Sequence, residues 1–401
     1  MPDTRRMHLK PTSRAVHAGE RPAPRDFVPT ATPIYATSSF VYQDIEQMDA
    51  ALGGATGVFV YGRYGNPTLE AMETAVAALE ETDAALGVAS GMAAVNLPIL
   101  ATAPRGGRVV ASRDVYGATV KLLDQIYRDL GIETVFVDIL DLDAVRAGLA
   151  GGDVRAVVCE TISNPLLRVT DIPAVAELAH AAGAALIVDN TFATPWLVRP
   201  AGLGADYVVH SSTKYLGGHG DVTAGVIACD AERRLQLNEL NKAVGSVLSP
   251  FDAWLILRGI KTLPLRIVRQ SENALTVARW LAEQPKVARV FYPGLPGHES
   301  HQTANRLFPD GLYGAMVSFE MHDCDRAAVF RFLGALEMIV PATTLGDVFS
   351  LVLYPVMSSH RALTPEQRET VGIGESLVRL SVGIEVLADV IADLERALSV
   401  V

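Results

Sequence analysis

Short apolar runs rich in β-branched residues alternate with alanine-rich segments between residues 84 and 260 of this 401-residue chain. A helix is predicted over 172–182, because Asp171 stands just before it, Pro173 lies in its first turn and Gly183 follows it. Strands separated by such helices form a mostly parallel sheet covered by helices, so we expect an α/β fold. The predicted strands are 84–89, 108–111, 134–138, 156–160, 186–190, 207–210 and 225–228.

The pattern changes after residue 257. A long helix is predicted over 267–284 and new strands over 315–320 and 377–381, which indicates a second, smaller α+β domain. The first sixty residues contain many prolines and threonines and few strong helix formers, so we expect an arm that wraps a neighbouring subunit. The predicted organisation is an N-terminal arm over 1–60, a large domain over 61–257 and a small domain over 258–401.

Composition and charge exclude several classes of function. Hydrophobic residues make up 49% of the chain and charged residues 20%, and no long uninterrupted apolar run occurs, so we expect no membrane span. A net charge of −11 argues against nucleic acid as a partner. Cys159, Cys229 and Cys324 are too scattered for a disulfide framework, which fits a reducing compartment. The basic N-terminus lacks a following apolar stretch, so we interpret it as a mobile arm of a cytoplasmic protein.

One lysine carries the strongest chemical signal in the chain. Lys214 follows the hydroxyl residues 211–213, precedes a glycine-rich stretch and comes after Asp189, which ends a predicted strand. A lysine can hold an aldehyde covalently, and a carboxylate can keep a pyridine nitrogen protonated, so this pair suggests pyridoxal phosphate acting as an electron sink. Hydroxyl groups and glycines are typical of a phosphate site. Without them, Lys214 would be interpreted as an ordinary surface residue.

Two weaker signals lie elsewhere. Ser90-Gly91-Met92 follows the first predicted strand and opens a helix, so its backbone amides could receive a phosphate, although this signal alone is weak. His210, His219 and Asp221 could suggest a metal site. Their spacing fits a glycine-rich loop better, and we expect no metal.

Seven motifs occur in order along the chain: Tyr61-Gly-Arg63 with Gly65-Asn-Pro-Thr68, Ser90-Gly-Met92, Val115-Tyr-Gly117, Glu160-Thr-Ile-Ser-Asn-Pro165, Val188-Asp-Asn-Thr191, Ser211-Ser-Thr-Lys214 and Leu377-Val-Arg-Leu-Ser-Val-Gly383. Together they resemble the Cys/Met-metabolism family of pyridoxal-phosphate enzymes, which includes methionine γ-lyase, cystathionine γ-lyase, cystathionine β-lyase and cystathionine γ-synthase. The resemblance extends over nearly the whole chain. It implies a type I aminotransferase-like fold and a homotetramer built from two catalytic dimers.

The resemblance also implies a role for each cofactor residue. Lys214 is expected to bind the cofactor covalently, Asp189 to face its pyridine nitrogen, Tyr116 to stack on its ring and Asn164 to bond its ring oxygen. The phosphate is expected to contact the amides of Gly91 and Met92, the hydroxyls of Ser211 and Thr213, and Tyr61 and Arg63 of the neighbouring subunit.

Arg379 is expected to clamp the substrate carboxylate, because its planar pair of donors matches the two carboxylate oxygens. Outside this family context, it would be interpreted as an exposed arginine at a strand end. The substrate is expected to be a small amino acid.

The sequence departs from the family pattern around the substrate. Ala118 stands where methionine γ-lyases typically carry a cysteine, which weakens the case for methionine. In the segment that begins at Thr344, Phe349 replaces a glutamate that some members use for the distal amino group of cystathionine. The family's Met-Thr-His segment aligns with Ser358-Ser359-His360, and Arg361 follows it. We therefore expect a pocket with added hydroxyls and a cation, unless Arg361 points to solvent, and its expected residues are Thr344, Phe349, Ser358 and Arg361.

We predict γ-elimination from a γ-substituted amino acid with a polar distal group, giving a 2-oxo acid, ammonia and the leaving group. Lys214 is expected to carry the α-proton and Tyr116 to protonate the leaving group, whose atom can be sulfur, oxygen or nitrogen. A γ-replacement synthase, of the cystathionine γ-synthase or O-acylhomoserine sulfhydrylase type, is the alternative. A non-catalytic pyridoxal-phosphate-binding protein would not need Arg379, and an aminotransferase should lack Tyr61 and Arg63 in this setting.

Overall fold

A mostly parallel sheet forms the larger part of the protein in the computed structural model, which describes residues 9–20, 29–54, 58–309, 311–358, 361, 364, 368 and 372–401. Its seven strands are β1 (Ala84–Val88), β2 (Arg108–Ser112), β3 (Glu133–Val137), β4 (Val154–Glu160), β5 (Ala185–Asp189), β6 (Tyr207–Ser211) and β7 (Gly225–Cys229). They lie in the order β1-β7-β6-β5-β4-β2-β3. Strands β2 to β6 run parallel, whereas β7 is antiparallel to both of its neighbours.

Both faces of this sheet are buried. Val109 and Ala111 of β2 belong to one apolar cluster, whereas Val110 between them belongs to the other. Successive side chains of a strand point to opposite faces, so this division places helices on each side of the sheet. Near-continuous runs of valine, isoleucine and alanine in β4 and β5 follow from that double burial.

Helices connect and cover the strands. Asn66, Ser90 and Asp171 each cap the helix that follows, with a side-chain oxygen that accepts a backbone N–H from the first turn. The helices are α1 (Pro11–His17), α2 (Ile45–Leu52), α3 (Pro67–Glu80), α4 (Gly91–Thr102), α5 (Gly117–Lys121), α6 (Leu142–Leu149), α7 (Ile172–Ala181), α8 (Thr194–Leu197), α9 (Ala231–Val244), α10 (Pro250–Ile260), α11 (Leu263–Ala282), α12 (His301–Leu307), α13 (Arg326–Ala335) and α14 (Leu387–Ser399). None of the described helices is long and apolar enough to cross a membrane.

A second sheet follows in the C-terminal part of the chain. Its strands are β8 (Val287–Phe291), β9 (Met316–Met321), β10 (Val340–Pro341), β11 (Leu351–Leu353) and β12 (Val378–Ser381). They lie in the order β10-β11-β12-β9-β8 and pair antiparallel, except that β10 and β11 are parallel. Helix α11 packs on β8 and β9, so this part has its own helix-covered sheet.

The predicted α/β fold with a smaller α+β part is confirmed, and the predicted strands are present with ends shifted by at most two residues. Strands β8, β10 and β11 were not predicted. Strands β10 and β11, with two and three residues, are too short to show a periodic pattern. Residue 257 lies inside α10, so the proposed boundary between the large and small domains falls within a helix. The division into 1–60, 61–257 and 258–401 stays a prediction.

Candidate active site

A cavity of about 510 Å³ opens where the parallel strands of the large sheet end. Ligands bind at this edge of open α/β sheets, and the volume suits a small molecule. Glu160 of β4, Asp189 of β5 and Ser211 of β6 line it from the large sheet. Leu353 and Arg379 line it from the second sheet, so both parts of the chain build the site.

The amine of Lys214 reaches this cavity from the loop after β6. Its Nζ donates a hydrogen bond of 2.9 Å to Oγ1 of Thr344. Burial lowers the pKa of the Lys214 amine, the nearby Arg379 guanidinium lowers it further, and Asp347 raises it. The amine therefore loses its proton more easily than an exposed lysine, as a nucleophile or a base requires.

Two carboxyl groups lie at the ends of adjacent strands on the cavity floor. Asp189 and Glu160 are register partners in β5 and β4. Oδ1 of Asp189 accepts the backbone N–H of Thr191 at 2.9 Å, and burial raises the pKa of this carboxyl group. The pKa of Glu160 is raised well above its usual value, first by burial and then by Asp189.

Glu160 has a specific partner, because its Oε1 accepts the backbone N–H of Tyr116 at 2.7 Å. Tyr116 itself lines the cavity, stands directly before α5 and exposes 46% of its surface. Sequence reasoning assigned no function to Glu160. Two sequence features could have indicated a role for Glu160: it ends a predicted strand, and it belongs to one of the seven motifs.

The N-terminus of α4 forms another wall of the cavity. Ser90 caps this helix by accepting the N–H of Ala93 at 3.2 Å, and Gly91 and Met92 line the cavity. A Cβ at Gly91 would lie 2.6 Å from Cβ of Ser211, so only glycine permits this close approach. Because a helix N-terminus attracts anions, this wall suits a phosphate group.

Thr213 stands beside that wall and is fixed by the backbone. Its Oγ1 accepts the N–H of Ala224 at 3.0 Å and donates to the carbonyl of the same residue at 3.2 Å. The backbone N–H of Ser211 donates to Oγ1 of Thr191 at 2.8 Å. Both predicted hydroxyl residues therefore line the cavity on backbone that is held in place.

Arg379 is a buried cation in the cavity wall with unused hydrogen-bonding capacity. It lies in β12 with 3% of its surface exposed, and one guanidinium nitrogen donates to Oδ1 of Asn164 at 2.9 Å. Its Nε has no partner among the described residues. Burial lowers the pKa of Arg379 to about 10. A carboxylate entering the cavity would satisfy the free donor and offset the cost of burying this charge.

Tyr61 and Arg63 do not line this cavity. The guanidinium of Arg63 lies 5.7 Å from the ring centre of Tyr61 and 4.9 Å from that of Tyr64, and it donates to the carbonyl of Lys242. Tyr61 and Tyr64 each expose 42% of their surface. The chain therefore leaves this cluster exposed and outside the cavity that contains its own Lys214.

The predicted substrate residues divide into two groups. Thr344 contacts Lys214, and Ser358 lines the cavity. Phe349 and Arg361 are exposed and lie outside the cavity lining. The backbone of Val348, next to Phe349, is bonded to Gly218 and to Ile384. Ser359 and His360 lie outside the described residues.

The two histidines of the glycine-rich segment have partners other than a metal. Nε2 of His210 lies 2.6 Å from Oε1 of Glu80, and Nδ1 of His219 lies 2.7 Å from the carbonyl oxygen of Gly217. Among the described residues, no cluster of histidine, cysteine and acidic side chains could hold a metal ion.

The donor groups of the cavity fit pyridoxal phosphate. A lysine amine of lowered pKa, a buried carboxyl group and a helix N-terminus surround one cavity of suitable size. These are the groups that an aldehyde, a pyridine nitrogen and a phosphate require. The unpaired Nε of Arg379 leaves one further anion site for a substrate.

Known proteins agree with this chemistry. The chain is 40% identical over 385 residues to the O-succinylhomoserine sulfhydrylase of Pseudomonas aeruginosa, and the match covers 96% of this chain and 94% of the relative. It is 42% identical over 389 residues to the cystathionine gamma-synthase of Mycobacterium tuberculosis, covering 97% and 96%. It is 40% identical over 387 residues to an L-methionine gamma-lyase of Fusobacterium nucleatum, covering 96% of both.

A comparison with solved structures identifies relatives of the same kind. The crystal structure of cystathionine gamma synthase from Xanthomonas oryzae, in complex with aminoacrylate and cysteine, matches with a TM-score of 0.91 at 36% identity and covers 98% of each chain. The sequence profile described as "Cys/Met metabolism PLP-dependent enzyme" matches residues 12–399. The chain therefore belongs to the Cys/Met-metabolism family of pyridoxal-phosphate-dependent enzymes.

Proposed function

We propose that the protein is a lyase that catalyses γ-elimination from a γ-substituted L-amino acid, releasing a 2-oxo acid, ammonia and the leaving group. The observation that carries this proposal is the meeting of Lys214, Asp189 and Arg379 around one cavity. The cavity thereby combines three groups: Lys214 as a base, Asp189 as a carboxyl group for the cofactor, and Arg379 as a clamp for the substrate carboxylate.

Lys214, Asp189, Asn164 and Tyr116 would hold the cofactor ring, as the sequence motifs predict. The phosphate would lie against Gly91, Met92, Ser211 and Thr213, where the N-terminus of α4 favours an anion. When bound, pyridoxal phosphate supplies a sink for the electrons left on the substrate when a proton is removed.

Three residues would act on the substrate. Arg379 binds the α-carboxylate through the guanidinium donors that Asn164 leaves free, and thereby orients the α-hydrogen. Lys214 removes and returns protons, because its buried amine has a lowered pKa. Tyr116 lines the cavity and is partly exposed, which supports the proposal that it protonates the leaving group. Thr344 orients the Lys214 amine between these events.

We further propose that Tyr61 and Arg63 complete the phosphate site of a neighbouring subunit in a homotetramer. Their outward position supports this assignment, because neither residue reaches the cavity of its own chain. A cytoplasmic location is also part of the proposal.

The distal part of the substrate would meet Ser358, the predicted pocket residue that lines the cavity. Ala118 stands where methionine γ-lyases carry a cysteine, and Ser358 adds a hydroxyl to the cavity wall, so we propose a polar distal group rather than the apolar group of methionine. Arg361 lies outside the cavity lining, so it is not assigned to this pocket. The γ-replacement reaction is the second candidate, because relatives of equal similarity are named as a synthase and a sulfhydrylase.

The test compares kcat/KM of the purified holoenzyme for methionine, cystathionine and an O-acylated homoserine. We expect the acylated homoserine to be best, since a buried polar contact discriminates more strongly than a missing methylene. Ser358→Ala should reduce that preference, whereas Phe349→Glu, at a position outside the cavity lining, should leave the ranking unchanged. If methionine is best and Ser358→Ala leaves the ranking unchanged, the polar pocket is excluded.

A further inference from the structure

Ser318 is a buried hydroxyl residue beside the proposed carboxylate clamp. It lies in β9, exposes 0% of its surface and pairs in register with Arg379 of β12. Residues directly opposite each other in an antiparallel pair project to the same face of the sheet, so the side chains of Ser318 and Arg379 share a face. Arg379 lines the cavity, whereas Ser318 does not. Ser318 therefore stands next to the cation without belonging to the cavity.

The Ser318 hydroxyl reaches the loop that follows β4. Its Oγ donates to the carbonyl oxygen of Pro165 at 2.7 Å. Pro165 directly follows Asn164, whose Oδ1 accepts a guanidinium N–H of Arg379 at 2.9 Å. Two hydrogen bonds, a peptide bond and a strand pairing thus join these four residues in a closed ring. Because no member of a closed ring moves alone, Ser318 limits where the Asn164 carboxamide can lie.

The same loop has two further contacts with the C-terminal part of the chain. Nε2 of His298 lies 3.1 Å from the carbonyl oxygen of Leu166, and the N–H of Val169 donates to Oγ of Ser300 at 3.0 Å. These contacts hold the loop as a whole, but both of them lie farther along the chain from Asn164 than the contact at Pro165 does. Of the three, the Ser318 bond is therefore the one that acts most directly on Asn164.

The position of Asn164 matters because few bonds hold the Arg379 guanidinium. Among the described residues, the guanidinium donates to Oδ1 of Asn164 at 2.9 Å and to the carbonyl of Thr344 at 3.5 Å, and Nε of Arg379 has no partner. A bond of 3.5 Å is weak. The direction of the guanidinium therefore depends mainly on Asn164. A bidentate contact with a carboxylate requires that direction to be fixed.

A role in stability alone makes a different prediction from a role in positioning. The carbonyl of Pro165 is buried and needs a donor, which Ser318 supplies. If the bond served only the stability of the fold, its loss would not distinguish between ligands with and without a carboxylate. If the bond positions Arg379, its loss should weaken the binding of carboxylate ligands selectively.

We propose that Ser318 is a positioning residue of the α-carboxylate site, which fixes Asn164 through Pro165 and thereby holds the Arg379 guanidinium in the direction that the substrate carboxylate requires. Ser318 itself lies outside the cavity lining, so it contacts neither substrate nor cofactor. The inference rests on the proposed function, in which Arg379 is the carboxylate clamp.

The test compares two ligands that differ by one carboxylate. L-Norleucine carries an α-amino group and an α-carboxylate but no leaving group, and pentylamine is the same molecule without the carboxylate. Their dissociation constants are measured on the holoenzyme from the absorbance change of the bound cofactor, and the wild type should bind norleucine more tightly. Ser318→Ala should raise the dissociation constant of norleucine roughly tenfold, as for the loss of one charge-assisted hydrogen bond, and leave that of pentylamine unchanged.

Two further variants calibrate the comparison. Ser300→Ala is the matched control, because it also removes a buried serine hydroxyl that bonds the same loop, but at Val169. It should keep the wild-type ratio of the two dissociation constants. Arg379→Lys should lose the preference for norleucine, since lysine offers no planar pair of donors.

A third variant keeps the test decisive if Ser318→Ala does not fold. Ser318→Cys has a side chain of similar size but donates only weakly. It should fold and show a smaller rise in the dissociation constant of norleucine alone. A wild-type ratio in folded Ser318→Cys, where Ser318→Ala cannot be measured, would overturn the proposal.

The outcomes separate an error in this inference from an error in the proposed function. A wild-type ratio in Ser318→Ala, with the preference lost in Arg379→Lys, would overturn the role of Ser318 and leave the clamp intact. An equal loss for both ligands in Ser318→Ala would also overturn it. Equal binding of both ligands to the wild type would overturn the clamp and the inference together. Because neither ligand has a leaving group, an error in the proposed reaction would leave the result unaffected.

Discussion

The amine of Lys214 lies 2.9 Å from the hydroxyl oxygen of Thr344, although Lys214 follows a strand of the large sheet and Thr344 belongs to the C-terminal part of the chain. Arg379 and Asn164 make a second such contact at 2.9 Å. Each part of the chain thus orients a group of the other. The cavity acquires its chemistry only when the two sheets are packed together.

Removing the Lys214 amine should abolish turnover. Lys214→Ala leaves no side chain that can bind the aldehyde or shuttle the α-proton, so both the visible absorbance of the bound cofactor and kcat should be lost. Absorbance spectra and product formation of the purified protein check this. Lys121→Ala, at an exposed helix end, is the control and should behave as the wild type. Substantial turnover by Lys214→Ala would refute the assignment.

The Thr344 hydroxyl should matter through Lys214. Thr344→Val keeps the shape but removes the acceptor, and a hydrogen bond to a charged group contributes about 1.5 kcal/mol. We therefore expect kcat to fall roughly tenfold with cofactor content unchanged. Steady-state kinetics of the variant measure this effect. Thr276→Val, on the exposed side of α11, is the control and should leave kcat unchanged. An equal fall of kcat in both variants would contradict a specific role of Thr344 at Lys214.

Arg63 should act in a neighbouring subunit. Arg63→Ala is expected to weaken cofactor binding, because its cation is proposed to contact the phosphate there. Tetramers mixed from Arg63→Ala and Lys214→Ala chains can combine an intact Arg63 with an intact Lys214 in one site. Activity should therefore reappear in the hybrids. Its absence in hybrids verified by mass spectrometry would argue against a shared site.

Glu160 should make the stability of the apoprotein depend on pH. Its pKa is raised well above the ordinary value in the folded state, so the unfolded chain releases this proton at lower pH. The contribution of Glu160 to stability is therefore present at low pH and lost as pH rises toward the folded pKa. Glu160→Gln removes the titration and should be more stable than the wild type at neutral pH. Denaturant unfolding across the pH range tests this, and an unchanged pH dependence would contradict it.

The sequence predicts the strands of the large sheet well, because each is a short buried run bounded by clear helix caps such as Asp171 and Ser90. It also predicts, for a similar reason, that the proposed cofactor residues lie close together. Asp189 and Lys214 follow strands whose carboxyl ends must meet at one edge. Lys214, Asp189, Tyr116, Asn164 and Arg379 are indeed brought together around the cavity.

Other features depend on contacts that no local pattern encodes. Glu80 and His210 stand 130 residues apart in the chain, and their pairing follows only from the packing of α3 behind β6. Phe349 and Arg361 were predicted as pocket residues from alignment alone. Both lie outside the cavity lining, a position that an alignment of residue types does not reveal.

The most direct test of the account measures the products that the holoenzyme forms from an O-acylated homoserine, with and without an added thiol. γ-Elimination predicts equimolar 2-oxo acid, ammonia and free acid at a rate that the thiol leaves unchanged, and no product in Lys214→Ala. A thioether amino acid as the main product, with little 2-oxo acid when thiol is absent, would contradict the lyase assignment and establish γ-replacement.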